Sequence, residues 1–385
     1  MKTLCIDGWR GVNHSIAMVN QHQLLALLDQ ADLRVFHRDM PFFRPHWNAK
    51  LLPAGFNADE QARIDAVPAP AQGQALDCVF RITSPFVTAF EPEQKTLSFM
   101  VTECSLIDVC FDAPVQDPGA FTRDANRIVT PSRWARDRLV EYGFDGDGIA
   151  VVPHGVSGDT FAPLRAAERA QARQQMGIAD DETLFVNVGV ATWNKGLDLL
   201  LLAFAQVRQA CPRARLLIKE NRGLYGLGVD TIVADVQRKQ PDLLDSKVLA
   251  GISVISESLG QQQLRTLYAV ADAYVSPYRA EGFNLPVLEA MACGTPVIVT
   301  DGGATDDFCP AGLATRVRSR PGGVADAPQD VGPFRVPDHD ALVAAMRAVV
   351  ATPCRRDDPV RQQARDALVA RHTWPSVTRQ LAELM

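Results

Sequence analysis

Short apolar, β-branched runs alternate with amphipathic stretches along most of this chain. Strands are expected near Leu4–Asp7, Arg34–Phe36, Cys78–Ile82, Leu97–Val101, Arg127–Thr130 and Ile149–Val152. A second series falls near Leu184–Val188, Arg215–Lys219, Val248–Ile252, Ala273–Val275 and Val297–Val299. Strands about 20–35 residues apart with helical stretches between them imply βαβ units and mostly parallel sheets. Two such series imply two Rossmann-like α/β domains. The break is expected within Pro153–Arg173, where VPHGVSGDTFAP carries two prolines and two glycines. Helix ends are marked by Ser132 and Gly143, and by Asp340, capping a helix Ala341–Val350 with Pro353 beyond it. Arg318–Pro333 is rich in Gly and Pro and predicts a long loop, and a last helix is expected over Trp374–Leu384.

Composition narrows this picture. At 385 residues, 47% apolar and 22% charged, the chain is sized for two globular domains. A net charge of −6 argues against a broad nucleic-acid footprint. Eight cysteines without a C-x-x-C pair predict free thiols in a reducing compartment. MKTLCIDGWRG lacks a signal-peptide core, and the apolar run Leu197–Val207 is short and interrupted by Asp198. The expectation is a soluble, cytoplasmic protein without stable membrane insertion; a transient visit to the inner membrane surface stays open. Seven scattered histidines lack ligand spacing, so no metal is expected. Asp145-Gly146-Asp147 and Asp338-His339-Asp340 are read as structural turns and caps, and no G-x-S-x-G elbow occurs.

The chemistry concentrates in YRAEGFNLPVLEAMACGTPVIVT, Tyr278 to Thr300. A strand ends, a loop runs through Glu281–Leu285, Pro286 stands where a helix begins and Gly294 where it ends. The amides of Phe283, Asn284 and Leu285 then lie at the positive end of a helix dipole, an anion site. Asn284 is one of the few non-glycine types that tolerate a left-handed backbone there. Glu281 would face a reacting group, and Glu289 a polyol, because a carboxylate accepts from two vicinal hydroxyls. An anion site beside a diol acceptor suits a nucleoside diphosphate. The bland reading, with Glu281 in a solvated loop and Glu289 on a helix surface, fits either residue alone but not the whole arrangement in one turn.

EGFNLPVLE resembles the E-x7-E element of the family 4 glycosyltransferases, retaining enzymes of GT-B fold. The resemblance implies two Rossmann-like domains with parallel sheets facing across a cleft, and a C-terminal helix crossing back to the N-domain. Acceptor-binding residues 1–160, donor-binding residues 161–370 and the terminal helix 371–385 would be its parts. It further implies that Glu281 contacts the donor sugar, Glu289 the ribose and the Phe283–Leu285 amides the diphosphate. The family more often has Gly where Asn284 stands. FVNVGVATWNKGLDLLLLAF matches a second element, aligning Gly189 and the pair Lys195-Gly196 with donor-phosphate positions. The Arg that usually follows the glycine is Val190 here, which leaves Lys195 without its usual partner; Lys219 in LLIKEN is a candidate replacement charge. VVPHGV resembles the interdomain linker, with His154 where Asn is frequent. DHDALVAAM and HTWPSVTRQLAEL resemble the late helices.

In the N-terminal half, Gly8 and Gly11 follow the first strand as in the family's first βα turn, where a backbone approaches donor phosphate. His14, at the start of the next helix, is open between helix capping and substrate contact. Glu103 stands where the family often has a histidine near the reacting sugar; it is read either as an active-site group or as a carboxylate paired locally, and Arg81 has the same status. His37–Lys50 mixes aromatic and basic groups and is read as a surface loop more than an acceptor-side one. The expected activity is retaining transfer of a hexose-like sugar from a UDP- or GDP-linked donor to a hydroxyl of a glycan, glycolipid or protein. It needs no bound cofactor or metal, with Glu281, Lys195 and Glu103 at the chemistry. The alternative is a degenerate GT-B subunit that binds a nucleotide sugar without transferring it. An epimerase, phosphorylase or dehydrogenase lacks its motif here. Donor base, sugar, acceptor and oligomeric state stay open.

Overall fold

The computed structural model describes residues 1–89, 91, 93–123, 125–327, 331–352 and 356–385; Pro353 and Cys354 lie outside them. The chain divides into two compact units. One comprises Met1–Gly155 with Arg371–Met385, the other Val156–Ala370.

The first unit is built from β1 (Lys2–Gly8), α1 (Ser15–Leu28), β2 (Leu33–Asp39), α2 (Ala58–Asp65), β3 (Cys78–Ile82), β4 (Thr96–Phe99), β5 (Asn126–Thr130), α3 (Arg133–Tyr142) and β6 (Ile149–Val151). Its six strands lie parallel in the order β2-β1-β3-β4-β5-β6. The Ser132 side chain accepts from Ala135 N, and Gly143 turns the chain out of α3 with φ +116°, as the residue types predict. Gly8 serves packing. A Cβ there would meet Asn20 at 2.7 Å and Ile82 at 2.8 Å, so the glycine lets α1 sit against the sheet.

The second unit contains α4 (Ala166–Gln175), β7 (Thr183–Val188), α5 (Leu197–Ala210), β8 (Ala214–Lys219), α6 (Arg222–Tyr225), α7 (Val229–Lys239), α8 (Ser246–Leu249), β9 (Ile252–Ile255), α9 (Gln261–Val270), β10 (Ala273–Ser276), α10 (Leu285–Ala292), β11 (Val297–Thr300) and β12 (Ala314–Val317). A β13–β14 ribbon (Ser319–Pro321 with Arg335–Pro337), α11 (His339–Ala351) and α12 (Pro359–Arg371) follow. The six-stranded parallel sheet has the order β12-β11-β10-β7-β8-β9. Every residue of β10 and β11 is buried. That matches their continuous apolar runs, because helices cover both faces of a parallel sheet. The last helix, α13 (Trp374–Ala382), belongs to the first unit and is capped by Thr373.

Several expectations are corrected. Val248–Ile252 is not one strand: Asp245 caps the turn α8 by accepting from Val248 N, and the strand starts at Ile252. The long helix near the C-terminus begins at His339, because Asp338 rather than Asp340 accepts from Ala341 N. Within the expected loop Arg318–Pro333 the chain forms β13, paired antiparallel with β14; residues 328–330 are outside the described set. The seven described cysteines are free thiols. No helix among the described residues is long and apolar enough to cross a membrane.

Candidate active site

β7 and β10 are neighbours in the sheet, with Ala273 opposite Phe185 and Tyr274 opposite Val186. The loops leaving their carboxyl ends therefore emerge side by side, where open α/β sheets bind ligands. The loop after β7 carries Gly189, Val190 and Lys195; the loop after β10 carries Glu281 and ends at α10. Lys195 Nζ lies 2.8 Å from Glu281 Oε2, joining residues 86 apart in sequence.

Backbone contacts zip the loops together. Asn194 O accepts from Arg279 N at 2.7 Å and from Ala280 N at 3.3 Å, while Asn194 Nδ2 donates to Ala280 O at 3.0 Å. Gly196, with φ +69°, follows Lys195; a Cβ there would stand 2.1 Å from Pro277 O. Arg279 is held bidentately by Asp198 at 2.8 and 2.7 Å, and its guanidinium sits 4.8 Å over the Trp193 ring. The sequence reading missed this Asp198–Arg279–Trp193 brace. Its only signal was an Arg two residues before Glu281, which spacing alone does not distinguish from a surface charge.

Asn284 caps α10 in the left-handed region, φ +79° and ψ +63°, and is the one non-glycine residue with positive φ among those described. Its Nδ2 donates to Ser276 Oγ at 3.0 Å, which ties the cap to the end of β10. Phe283 is buried and stacks on Phe308 with ring centroids 4.6 Å apart. The loop therefore aims the start of α10 from a fixed platform.

Glu289 lies partly buried on α10, and its Oε2 accepts from the Tyr268 hydroxyl at 2.8 Å. Burial raises its carboxyl to about 7, and the Tyr268 bond works in the opposite direction. Tyr274 is buried between the groups: its hydroxyl donates to Val188 O at 3.1 Å. Burial pushes its phenol up; Glu281 and Glu289 add to the rise, and Lys195 opposes it. The Lys195–Glu281 pair and Glu289 thus share one electrostatic neighbourhood.

Lys219 does not join them. Its buried ammonium donates to Glu220 O, and desolvation lowers its pKa. Among the described residues no hydrogen bond or ion pair links it to Lys195, Glu281 or Glu289. Its backbone carbonyl instead accepts from Gly189 N at 3.0 Å. The register Val188 opposite Lys219 places it at the carboxyl end of β8, beside the start of the Gly189 loop.

In the first unit, Gly11 has φ +82° and its N–H donates to Gln21 Oε1 at 2.8 Å. His14 is buried between Trp9 and Trp47, ring centroids 5.2 and 5.0 Å away, and caps α1 by accepting from Ile16 N at Nδ1. Burial lowers its pKa to about 4, so it is neutral near pH 7. His154 is buried between Phe99 and Trp374, and burial lowers it to about 3. Arg81 approaches Asp7 at 3.9 Å and donates to Ala89 O. Glu103 follows β4, and its carbonyl accepts from Trp134 Nε1 at 2.8 Å.

Residues 168–312, which contain both loops and α10, match the family described as Glycosyl transferases group 1. Over this segment the chain resembles the GT-B glycosyltransferases of the family 4 type. It is 32% identical over 255 residues to a D-inositol 3-phosphate glycosyltransferase of Kineococcus radiotolerans, covering 64% of this chain and 53% of that protein. It is 27% identical over 191 residues to a mannosylfructose-phosphate synthase of Agrobacterium fabrum, covering 49% of this chain and 41% of that one. The chain thus spans about half or less of these curated relatives' length. In fold it resembles Anabaena Alr3699/HepE, solved in complex with UDP and glucose, with a TM-score of 0.68 at 13% identity over 100% of this chain and 99% of that one. That likeness and the two parallel sheets establish the GT-B architecture of two Rossmann-like domains.

The raised Glu289 carboxyl gives a prediction of definite sign. With a folded pKa of about 7 against an ordinary 4.5, the folded state binds more protons between those values. This contribution to stability is full below about 4.5 and is lost as pH rises through about 7. Glu289→Gln is therefore expected to be more stable than wild type at pH 8 by about 1–3 kcal/mol, partial exposure reducing the gain, and equal to it at pH 4.5. Urea denaturation at the two pH values measures the difference.

Proposed function

We propose that this chain transfers a sugar from a nucleotide-diphosphate donor to an acceptor hydroxyl with retention of configuration, using Lys195, Glu281 and Glu289 as the donor site. The observation that carries the reading is the 2.8 Å Lys195–Glu281 pair at the mouths of adjacent strands, beside the helix that begins at Asn284 and bears Glu289.

As the bond from the anomeric carbon to the diphosphate breaks, the diphosphate keeps the electron pair and its charge grows. The acceptor oxygen takes its place on that carbon and gives up its proton. Lys195 and the N–H groups opening α10 face the growing charge, and such preorganised donors stabilise it without reorganising. Glu281 orients sugar hydroxyls and offsets positive charge at the anomeric carbon. Gly189 leaves room for the donor: a Cβ there would meet nothing within 4 Å. The amides of Phe283 and Leu285 and the Asn284 backbone form the diphosphate cradle. Lys195 and the start of α10 take the leaving charge. The first unit takes the acceptor, with Arg81, His14 and His154 as its candidates, Glu103 toward the reacting sugar and Gly11 toward the donor phosphate. UDP and GDP are the donor bases to test first, glycans and glycolipids the acceptors.

Val190 in place of an Arg favours a second reading, a chain that binds a nucleotide sugar without transferring it. One experiment separates the two. Thermal unfolding is followed with UDP, GDP, ADP and their common sugar conjugates, on wild type and Glu289→Ala, and nucleotide release from the conjugates is then assayed. One nucleotide at about 100 times its dissociation constant is expected to stabilise wild type by about 2.7 kcal/mol, with a smaller shift in the variant. No shift with any nucleotide overturns the donor site. A shift without release favours the second reading.

A further inference from the structure

We propose that Tyr268 is a positioning residue of the donor site, holding one oxygen of Glu289 so that the other is presented to a vicinal diol of the ligand. The proposal rests on the donor-site reading above. Glu289 sits on α10 and Tyr268 on α9, so the contact is made between helices rather than along one. The Tyr268 hydroxyl donates to Oε2 at 2.8 Å.

The Tyr268 side chain is packed on several sides. Tyr268 is fully buried, its ring meets Tyr274 edge-on at 5.7 Å and Phe161 at 6.2 Å, and its carbonyl accepts from Thr295 Oγ1 at 2.7 Å. That last bond ties the end of α9 to the turn closing α10. Among the described residues, Oε1 of Glu289 takes no hydrogen bond and no cation pairs with the carboxylate. A partly buried carboxylate satisfied at one oxygen is costly. Two vicinal hydroxyls supply what the protein withholds, and they can do so only while the carboxylate keeps one orientation. Tyr268 sets that orientation without touching the ligand. Side-chain order imposed in advance is a recognised source of affinity.

The test compares UDP with 2′,3′-dideoxy-UDP, and the GDP and ADP pairs likewise, by calorimetric titration of wild type and Tyr268→Phe. Wild type is expected to prefer the ribonucleotide by about tenfold or more. In Tyr268→Phe the preference should fall severalfold while affinity for the dideoxy form stays put, a selectivity change that loosened packing alone would not produce. If Tyr268→Phe lacks a cooperative unfolding transition, Glu289→Gln is compared with Tyr268→Phe/Glu289→Gln, in which the buried charge is gone. Because Tyr268 acts through the carboxylate, these two are expected to show the same preference; a further loss in the double variant overturns the role. If wild type discriminates and Tyr268→Phe discriminates equally, the positioning role falls and the donor site stands. If wild type binds each nucleotide and its dideoxy form equally, Glu289 does not hold the diol and both readings fall.

Discussion

Lys195→Met is expected to lower the rate of nucleotide release from the cognate sugar conjugate by about 10²–10³-fold, the usual cost of removing one preorganised donor from a developing anion. It should also weaken binding of the nucleoside diphosphate while leaving the free nucleoside unaffected, since only the former brings the charge that Lys195 meets. Glu281→Gln separates the two functions of the pair. The Lys195 ammonium pairs with Glu281 at 2.8 Å, with 19% and 9% of the two side chains exposed. Diphosphate binding has to compete with that bond, so Glu281→Gln should bind the diphosphate severalfold tighter and still release it from the sugar far more slowly. Calorimetric titration reads the affinities and a coupled nucleotide assay the rates. Equal loss of both in Glu281→Gln would mean that the pair serves only to hold the loops together.

Gly196→Ala is expected to destabilise the chain by about 3–4 kcal/mol, through two causes that act at the same atom. The residue has φ +69°, where an L side chain is strained, and its Cβ would stand 2.1 Å from the Pro277 carbonyl oxygen. Backbone cannot yield as the tip of a flexible side chain does. A unit of this size should lose about 10 °C in midpoint, followed by circular dichroism or calorimetry. Gly189→Ala is the control, since open space surrounds its would-be Cβ. Near-wild-type stability there, with weakened nucleotide binding, would separate the structural glycine of the loop from the one that makes room for a ligand.

The two glycines show what is legible before folding. Lys195-Gly196 was found as a motif, but the reason for the glycine is a carbonyl on another strand's loop. Lys219 shows the converse. Its charge suggests a phosphate contact, but only the pairing of Val188 with Lys219 shows where that charge stands, at the end of β8 with its ammonium donating to Glu220 O. The sequence offers Asp340 as the cap, whereas Asp338, two residues earlier, fills that place, a choice decided by the detailed turn rather than by residue type. The helix α12 and the β12–β14 strands carry weak periodicity, and a position such as Leu368 acquires meaning only once the core it packs into exists.

What the amino-acid order determined by itself is local: the alternation of buried strands with helices, α3 between Ser132 and Gly143, and the start of α10 at a left-handed Asn284 followed by Pro286. Such features depend on backbone sterics and caps within a few residues, so short patterns specify them. The tertiary structure decided which of these pieces meet. β7 and β10 are separated in sequence by two strands, yet their pairing places Lys195 against Glu281 across 86 residues. The packing of α9 beside α10 in turn gives Glu289 its tyrosine partner. Strand order and helix docking follow from burial summed over the whole unit, a non-local quantity, and no short pattern carries it.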